Sequence, residues 1–233
     1  MTTHEIMTQL EAFGNAITKK TLMSHGAKEP LYGVKVEDLK KILKKTKKNH
    51  ALSLELYSTG NSDAMYLAAL MADETQMTEA QLDEWVDQAY WFYLNEFAVP
   101  WVAAETPFGF NLGLKWIDST KETTAAAGWG TLASIASLKS ELDIEVYSRL
   151  LDRVEKEIHT APNRVRYVMN GFLIAIGGAV PELNAKALAI AAKVGIVRVD
   201  MGGTACKVPL ATEYIQKVMD KGGLGKKRKS ARC

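Results

Sequence analysis

Apolar residues recur at helical spacing along nearly the whole chain, and the two-residue alternation that a half-buried strand requires is scarce, so the sequence predicts an all-α protein. In VKVEDLKKILKKTKK, residues 34–48, Val36, Leu39, Ile42 and Leu43 form one helical stripe and the lysines cover the other side. Asn61 or Ser62 suits the N-cap of a helix through MYLAALMADE. Thr78 and Gln81 have the spacing of a capping box ahead of the next helix, which runs into DEWVDQAY. Later helices start at about Pro107, Thr123, Leu142, Pro162, Pro181 and Pro209, and the last three prolines sit where a first helical turn tolerates them.

The helix PNRVRYVMNGFLIAIGG, residues 162–178, is apolar on almost all sides after Arg166. Such a helix is an inner one, sandwiched between neighbours. Arg164 and Arg166 then lie at its start, within reach of solvent or a phosphate, and being two apart they point to different sides. The helices come in pairs of roughly 35–45 residues, the period of a HEAT-like solenoid with a concave groove. The stretches ELYSTGNSDAMYLAALMADE and KWIDSTKETTAAAGWGTLASIA share the order helix, polar turn, small-residue helix. The organisation expected is one repeat domain over residues 1–221 and a flexible basic tail over 222–233.

Composition narrows the function classes. The 47% apolar and 24% charged content is that of a soluble globular protein. The N-terminus lacks a signal-peptide pattern and no run of about 18 apolar residues is present, so a cytoplasmic location is expected. Cys206 and Cys233 are too few for a disulfide framework or a zinc cluster, and His4, His25, His50 and His159 are scattered, so no metal or cofactor is expected.

A net charge of +2 hides a strong asymmetry. Lys35, Lys40, Lys41, Lys44, Lys45, Lys47 and Lys48 crowd one segment, the tail GKKRKSARC carries no acid, and residues 50–160 hold 18 acidic against 6 basic side chains. Two basic ends suit a polyanion; the plain alternative is a solvated lysine face. In MGGTACKVPL, residues 201–210, free amides could cradle a phosphate, although a tight inter-helix turn explains the glycines more simply. Lys207 there is a candidate backbone contact. Trp116 and Trp129, with small neighbours, read as residues of helix seams.

The stretch AYWFYLNEFAVPW, residues 89–101, gathers Tyr90, Trp91, Phe92, Tyr93, Phe97 and Trp101 around Asn95. Four residues apart on an α-helix, Trp91 and Asn95 share a face. This stretch, together with LYGVKVEDLKKILKK and NRVRYVMNGFLIAIGG, resembles the AlkD-type DNA alkylation repair family of HEAT-like repeat proteins. The resemblance covers most of the chain. It implies a basic concave groove for DNA, with tryptophans on inner helices against the backbone around a lesion. In the family's active alkylpurine glycosylases, a carboxylate four residues after the first tryptophan and an arginine on the next repeat promote cleavage of the glycosidic bond.

By that resemblance Trp91 takes the first tryptophan's place, exposed to the groove, and Phe172 that of the later aromatic, although its apolar neighbours suit a core residue. The carboxylate position falls on Asn95 and the arginine position near Ala126. An amide offers only a dipole where departure of a cationic base calls for negative charge. Glu96 is one step away, about 100° around an α-helix, and so is expected to point elsewhere; Glu105 could swing in from beyond Pro100. Lys121 or Lys139 could stand in for the arginine as a phosphate contact, without its bidentate fork. The expected function is DNA binding through Trp91, Asn95, Lys121, Arg164, Arg166, Phe172 and Lys207, recognising damaged or distorted DNA by backbone contacts. The alternatives are an active alkylpurine glycosylase and a helical-repeat scaffold for protein partners.

Overall fold

Helix-capping chemistry sets the frame of the protein. In a computed structural model that describes residues 1–232, leaving Cys233 outside, Asn61 accepts from the Asp63 and Ala64 amides at the start of a helix over Ser62–Met71. Thr78 and Gln81 form the reciprocal capping box at the start of Glu79–Gln88. The described residues form thirteen α-helices and no strand: α1 Thr3–Phe13, α2 Ala16–Ser24, α3 Val36–Thr46, α4 His50–Ser58, α5 Ser62–Met71, α6 Glu79–Gln88, α7 Val99–Glu105, α8 Gly109–Trp116, α9 Glu122–Leu138, α10 Ile144–Glu157, α11 Asn163–Ala179, α12 Pro181–Val194 and α13 Ala211–Asp220. A π-helical turn over Tyr93–Ala98 leads into α7. The expected starts of the later helices fall within two residues of the observed ones.

The helices pair as a HEAT-like array. One row runs α5, α7, α9, α11 and α13, and α4, α6, α8, α10 and α12 back it. The inner helices α9 and α11 are each 17 residues long and pack closely against one another. Close packing of α8 on α9 needs Gly128, since a Cβ there would lie 2.5 Å from the Ile117 amide nitrogen. Two hydrophobic clusters fill the space between the rows. One is built mainly from α1 to α8, and the other from α9 to α13.

The LYGV turn ahead of α3 hangs on one buried carboxylate. Asp63 accepts from the amides of Tyr32, Gly33 and Val34 at 2.6, 3.0 and 3.0 Å. Gly33 has φ +81 and lies so close to Lys19 that a Cβ would overlap its backbone. This turn fixes where the lysine helix α3 starts.

Residues 222–232 are not the free tail expected from their composition. They cross the C-terminal ends of four inner helices in turn, as a strap. Gly225 donates to the Gly178 carbonyl, Lys227 to those of Ala136 and Ala179, and Arg228 to that of Ser137. Ser230 and the Ala231 amide bond Glu105, and Arg232 reaches the Ala72 carbonyl and both Glu74 and Glu105. The physical reason is that the carbonyls at these helix ends have no partner within their own helices and carry partial negative charge.

Candidate nucleic-acid interface

Three adjoining depressions make a trough that runs from the start of α11, through a recess between α9 and α11, to the strap. Near the start of α11, a small cavity of about 100 Å³ is lined by His25, Phe92, Phe97, Arg164, Tyr167, Met201, Thr204 and Cys206. Phe97 and Tyr167 also wall the next one, a recess of about 220 Å³ reaching Glu96, Trp101 and Phe172, with Arg228 of the strap among its lining residues. Arg228 in turn borders a wider depression of about 650 Å³ between the end of α3 and the strap.

That wide depression joins the two basic ends of the sequence. Lys47 and Lys48 follow α3, Lys139 follows α9, and Arg228, Lys229 and Arg232 belong to the strap, facing the acids Glu74 and Glu105. Lys48 binds Glu74, and Arg232 binds both acids. Lys47, Lys139, Arg228 and Lys229 have no carboxylate within ion-pair distance among the described residues, so their charge is open to an anionic ligand.

In the middle of the trough stands a buried ion pair. Arg164 Nε and Nη2 donate to the two Glu96 carboxylate oxygens at 2.6 and 2.7 Å. The side chain of Glu96 is only 2% exposed, and that of Arg164 25%. The guanidinium lies 4.5 Å from the Tyr167 ring centre and 5.2 Å from that of Phe92, in cation–π contact. Burial raises the Glu96 carboxyl above its ordinary value of 4.5, while the guanidinium works against that shift.

The backbone explains why Glu96 faces the trough. Over residues 93–98 the chain closes an i→i+5 hydrogen bond, the Val99 amide donating to the Leu94 carbonyl. A π-turn of this kind widens the helix, so the α-helical step of about 100° no longer predicts which side chains share a face. The expectation that Glu96 points away is therefore corrected. The aromatic and carboxylate that meet the same arginine are Phe92 and Glu96, four apart, one residue beyond Trp91 and Asn95. Pro100, which has no amide hydrogen for the carbonyl one turn back, is the sequence signal for this distortion.

Several expected site residues lie elsewhere. Trp91 is 5% exposed, its indole nitrogen donates to Ser62 Oγ at 2.9 Å, and its ring stacks on Tyr93, so it is no open platform. Asn95 is buried and donates to the Ala89 carbonyl, and its Oδ1 has no partner. Phe172 is buried at the back of the recess, stacked on Tyr147 and edge-on to Trp129, and Ala126 is fully buried. Lys121 binds Asp87 in a separate depression with Asp83 and Asp118, at the opposite end of α9 from Lys139. Arg166 donates to the Arg198 carbonyl, and Lys207 is exposed beyond the small cavity. Glu105, held by the strap, does not swing in.

Sequence reasoning missed Phe97, Tyr167, His25 and Arg228 as trough residues, and it reached Arg164 without its partner. His25 comes from α2's C-cap, distant in sequence, and its Nε2 is 3.7 Å from Cys206 Sγ. The Thr21 carbonyl, 2.8 Å from Nδ1, and then Cys206 raise the imidazole above 6.5, which favours its cationic form near Arg164. Trp116 and Trp129 are buried in helix seams, as their small neighbours indicated. No group of three or more His, Cys, Asp or Glu side chains able to hold a metal exists among the described residues, and no helix there is long and apolar enough to cross a membrane.

Comparison with known proteins agrees with this architecture. A model of the DNA alkylation repair enzyme family matches residues 6–201. The uncharacterized proteins Lin0241 of Listeria innocua and Lmo0209 of Listeria monocytogenes are each 34% identical over 227 residues, covering 95% of this chain and 99% of theirs. A solved structure described as a new family of proteins related to the HEAT-like repeat DNA glycosylases, with affinity for branched DNA structures, superposes with a TM-score of 0.92 at 38% identity over 100% of both chains.

Proposed function

Because this chain belongs to the DNA alkylation repair enzyme family, we propose that it binds DNA along the trough through backbone contacts and prefers branched or otherwise distorted DNA to plain duplex. The convergence of the two basic ends on one depression carries this reading. Lys47, Lys139, Arg228 and Lys229 supply unpaired positive charge on one surface, as a ligand carrying a line of phosphates requires. The affinity for branched DNA that describes the structural relative supports the same reading. A positive trough also favours nucleic acid over a peptide partner, even though Trp91 is not exposed in it.

Salt-titrated binding to a four-way junction, an abasic duplex and an intact duplex tests the proposal. About four neutralised phosphates give a slope of log affinity against log salt of about −3.5. Reversing Lys139 and Lys229 to glutamate lowers affinity at least about tenfold and makes the slope shallower by roughly two. Binding that is absent at low salt, or indifferent to salt, would sink the reading.

The glycosylase alternative gains a carboxylate and an arginine in the trough that Asn95 and Ala126 denied it. Both oxygens of Glu96 are engaged by Arg164, however, so the pair presents little free negative charge to a developing sugar cation. The expected outcome on methylated DNA is no abasic-site formation above the spontaneous rate, measured by strand cleavage at abasic sites. Release well above that rate would overturn the assignment as a binder.

A further inference from the structure

The recess in the middle of the trough is a cavity with a shape and lining of its own. It exists because two helices offer small residues where they face it. Gly130, Ala133, Ser134 and Ser137 lie at helical spacing on α9, as do Gly171 and Ala175 with Val168 and Phe172 on α11. Around this opening stand the rings of Phe97, Trp101 and Tyr167, and at one side lies the exposed guanidinium of Arg228. Phe97 and Trp101 are 5.7 Å apart between ring centres. Phe97 and Tyr167 also border the small cavity, where Arg164 Nη1, which Glu96 does not engage, lies 3.6 Å from Met201 Sδ and His25 is nearby. An aromatic-walled opening with cations at both ends matches the chemistry of one nucleotide, a flat ring joined to anionic backbone.

Resting on the DNA-binding reading above, we propose that the recess holds the base of a single unpaired nucleotide of the bound DNA, against Phe97 and Tyr167, with Arg228 and the Arg164–His25 end taking the flanking phosphates. Placing a paired base there would cost its stacking and pairing, whereas an already unpaired base avoids most of that cost. The recess thereby gives a physical basis for preferring distorted or branched DNA that carries an unpaired nucleotide at a bulge, gap or flap, while the lysines of the wider depression bind any duplex.

Gly171 provides the test. It is exposed, and a Cβ added to it meets no heavy atom within 4 Å, so a leucine can grow into the opening without displacing the core. The measurement is the ratio of affinities for a duplex with one bulged nucleotide and a fully paired duplex of the same length. Gly171→Leu is expected to lower that ratio roughly tenfold, the scale of one lost base–aromatic stack. A 2-aminopurine at the bulge becomes shielded from acrylamide quenching on binding the unmodified protein, and this second readout does not depend on the variant's folding. An unchanged ratio in a folded variant, or a bulged base that stays open to acrylamide in the complex, overturns the inference and leaves DNA binding standing. Failure of the unmodified protein to bind either duplex overturns both.

Discussion

Arg164→Met is expected to cost about 3 kcal/mol of stability at pH 7, because removing one partner leaves the other charge buried and unpaired. Glu96 is the group left behind. Its side chain is 2% exposed and both its oxygens lose their donors. Burial already holds this carboxyl above 4.5, and without the guanidinium it rises further. A carboxyl whose folded value lies above its unfolded one favours the folded state when protonated, and that stability is lost as pH rises through the folded value. The variant is therefore relatively more stable at pH 5 than at pH 7, and its deficit against the unmodified protein narrows on acidification. Urea melts at the two pH values read this directly. Changing Glu96 to leucine in the same molecule is expected to recover most of the loss, since paired apolar replacements remove the unpaired charge. An equal deficit at both pH values, with no recovery in the double variant, would show that Arg164 acts through packing alone.

The same pair shows how far the sequence could be read. The stripe of Val36, Leu39, Ile42 and Leu43, the caps at Asn61 and Thr78, and the prolines at or just before the starts of α11, α12 and α13 all encode local structure, and the helices follow them. Arg164 was legible as a functional candidate because it starts an otherwise apolar helix. Glu96 was not, because the face it occupies depends on one hydrogen bond closing at i→i+5, and helical arithmetic that assumes an unbroken α-helix turns it away. Trp91 failed for a related reason. Tryptophan offers an indole donor as well as a ring, and here Ser62 one repeat earlier satisfies it in the interior, a tertiary contact with no local signature. Lys121 and Lys139 cap the two ends of one helix, α9, and look equivalent in sequence. One is spent on Asp87 and the other opens onto the trough.

The tail composition carried a different ambiguity. A lysine-rich, acid-free segment reads as solvated and mobile when its neighbours are unknown. What fixes residues 222–232 is the shared direction of the inner helices, whose C-terminal ends line up along one edge. Aligned carbonyl ends form a surface with partial negative charge, and Glu74 and Glu105 add full charges to it. Both arrangements are properties of the assembled array.

Ending the chain after Lys221 is accordingly expected to destabilise the protein by roughly 3–5 kcal/mol, the range for breaking a charge-assisted network of this size. It removes Lys227 from the Ala136 and Ala179 carbonyls at 2.8 and 2.6 Å, and Arg232 from Glu74 and Glu105 at 2.8 and 3.0 Å. Glu74 keeps Lys48, whereas Glu105 loses Arg232, Ser230 and the Ala231 amide together. The shortened chain also lacks Arg228 and Lys229, so DNA affinity at low salt falls at least about tenfold and the salt slope becomes shallower by about two. Arg232→Ala separates the two effects. That change releases the end of the strap but leaves Arg228 and Lys229 in the sequence, so stability drops by about 2 kcal/mol while the salt slope changes far less than on truncation. Melting curves and salt-titrated binding on both variants supply the comparison. A shortened chain that melts with the full one would mean that the helix ends are satisfied by water and the strap contributes charge to the trough but no stability.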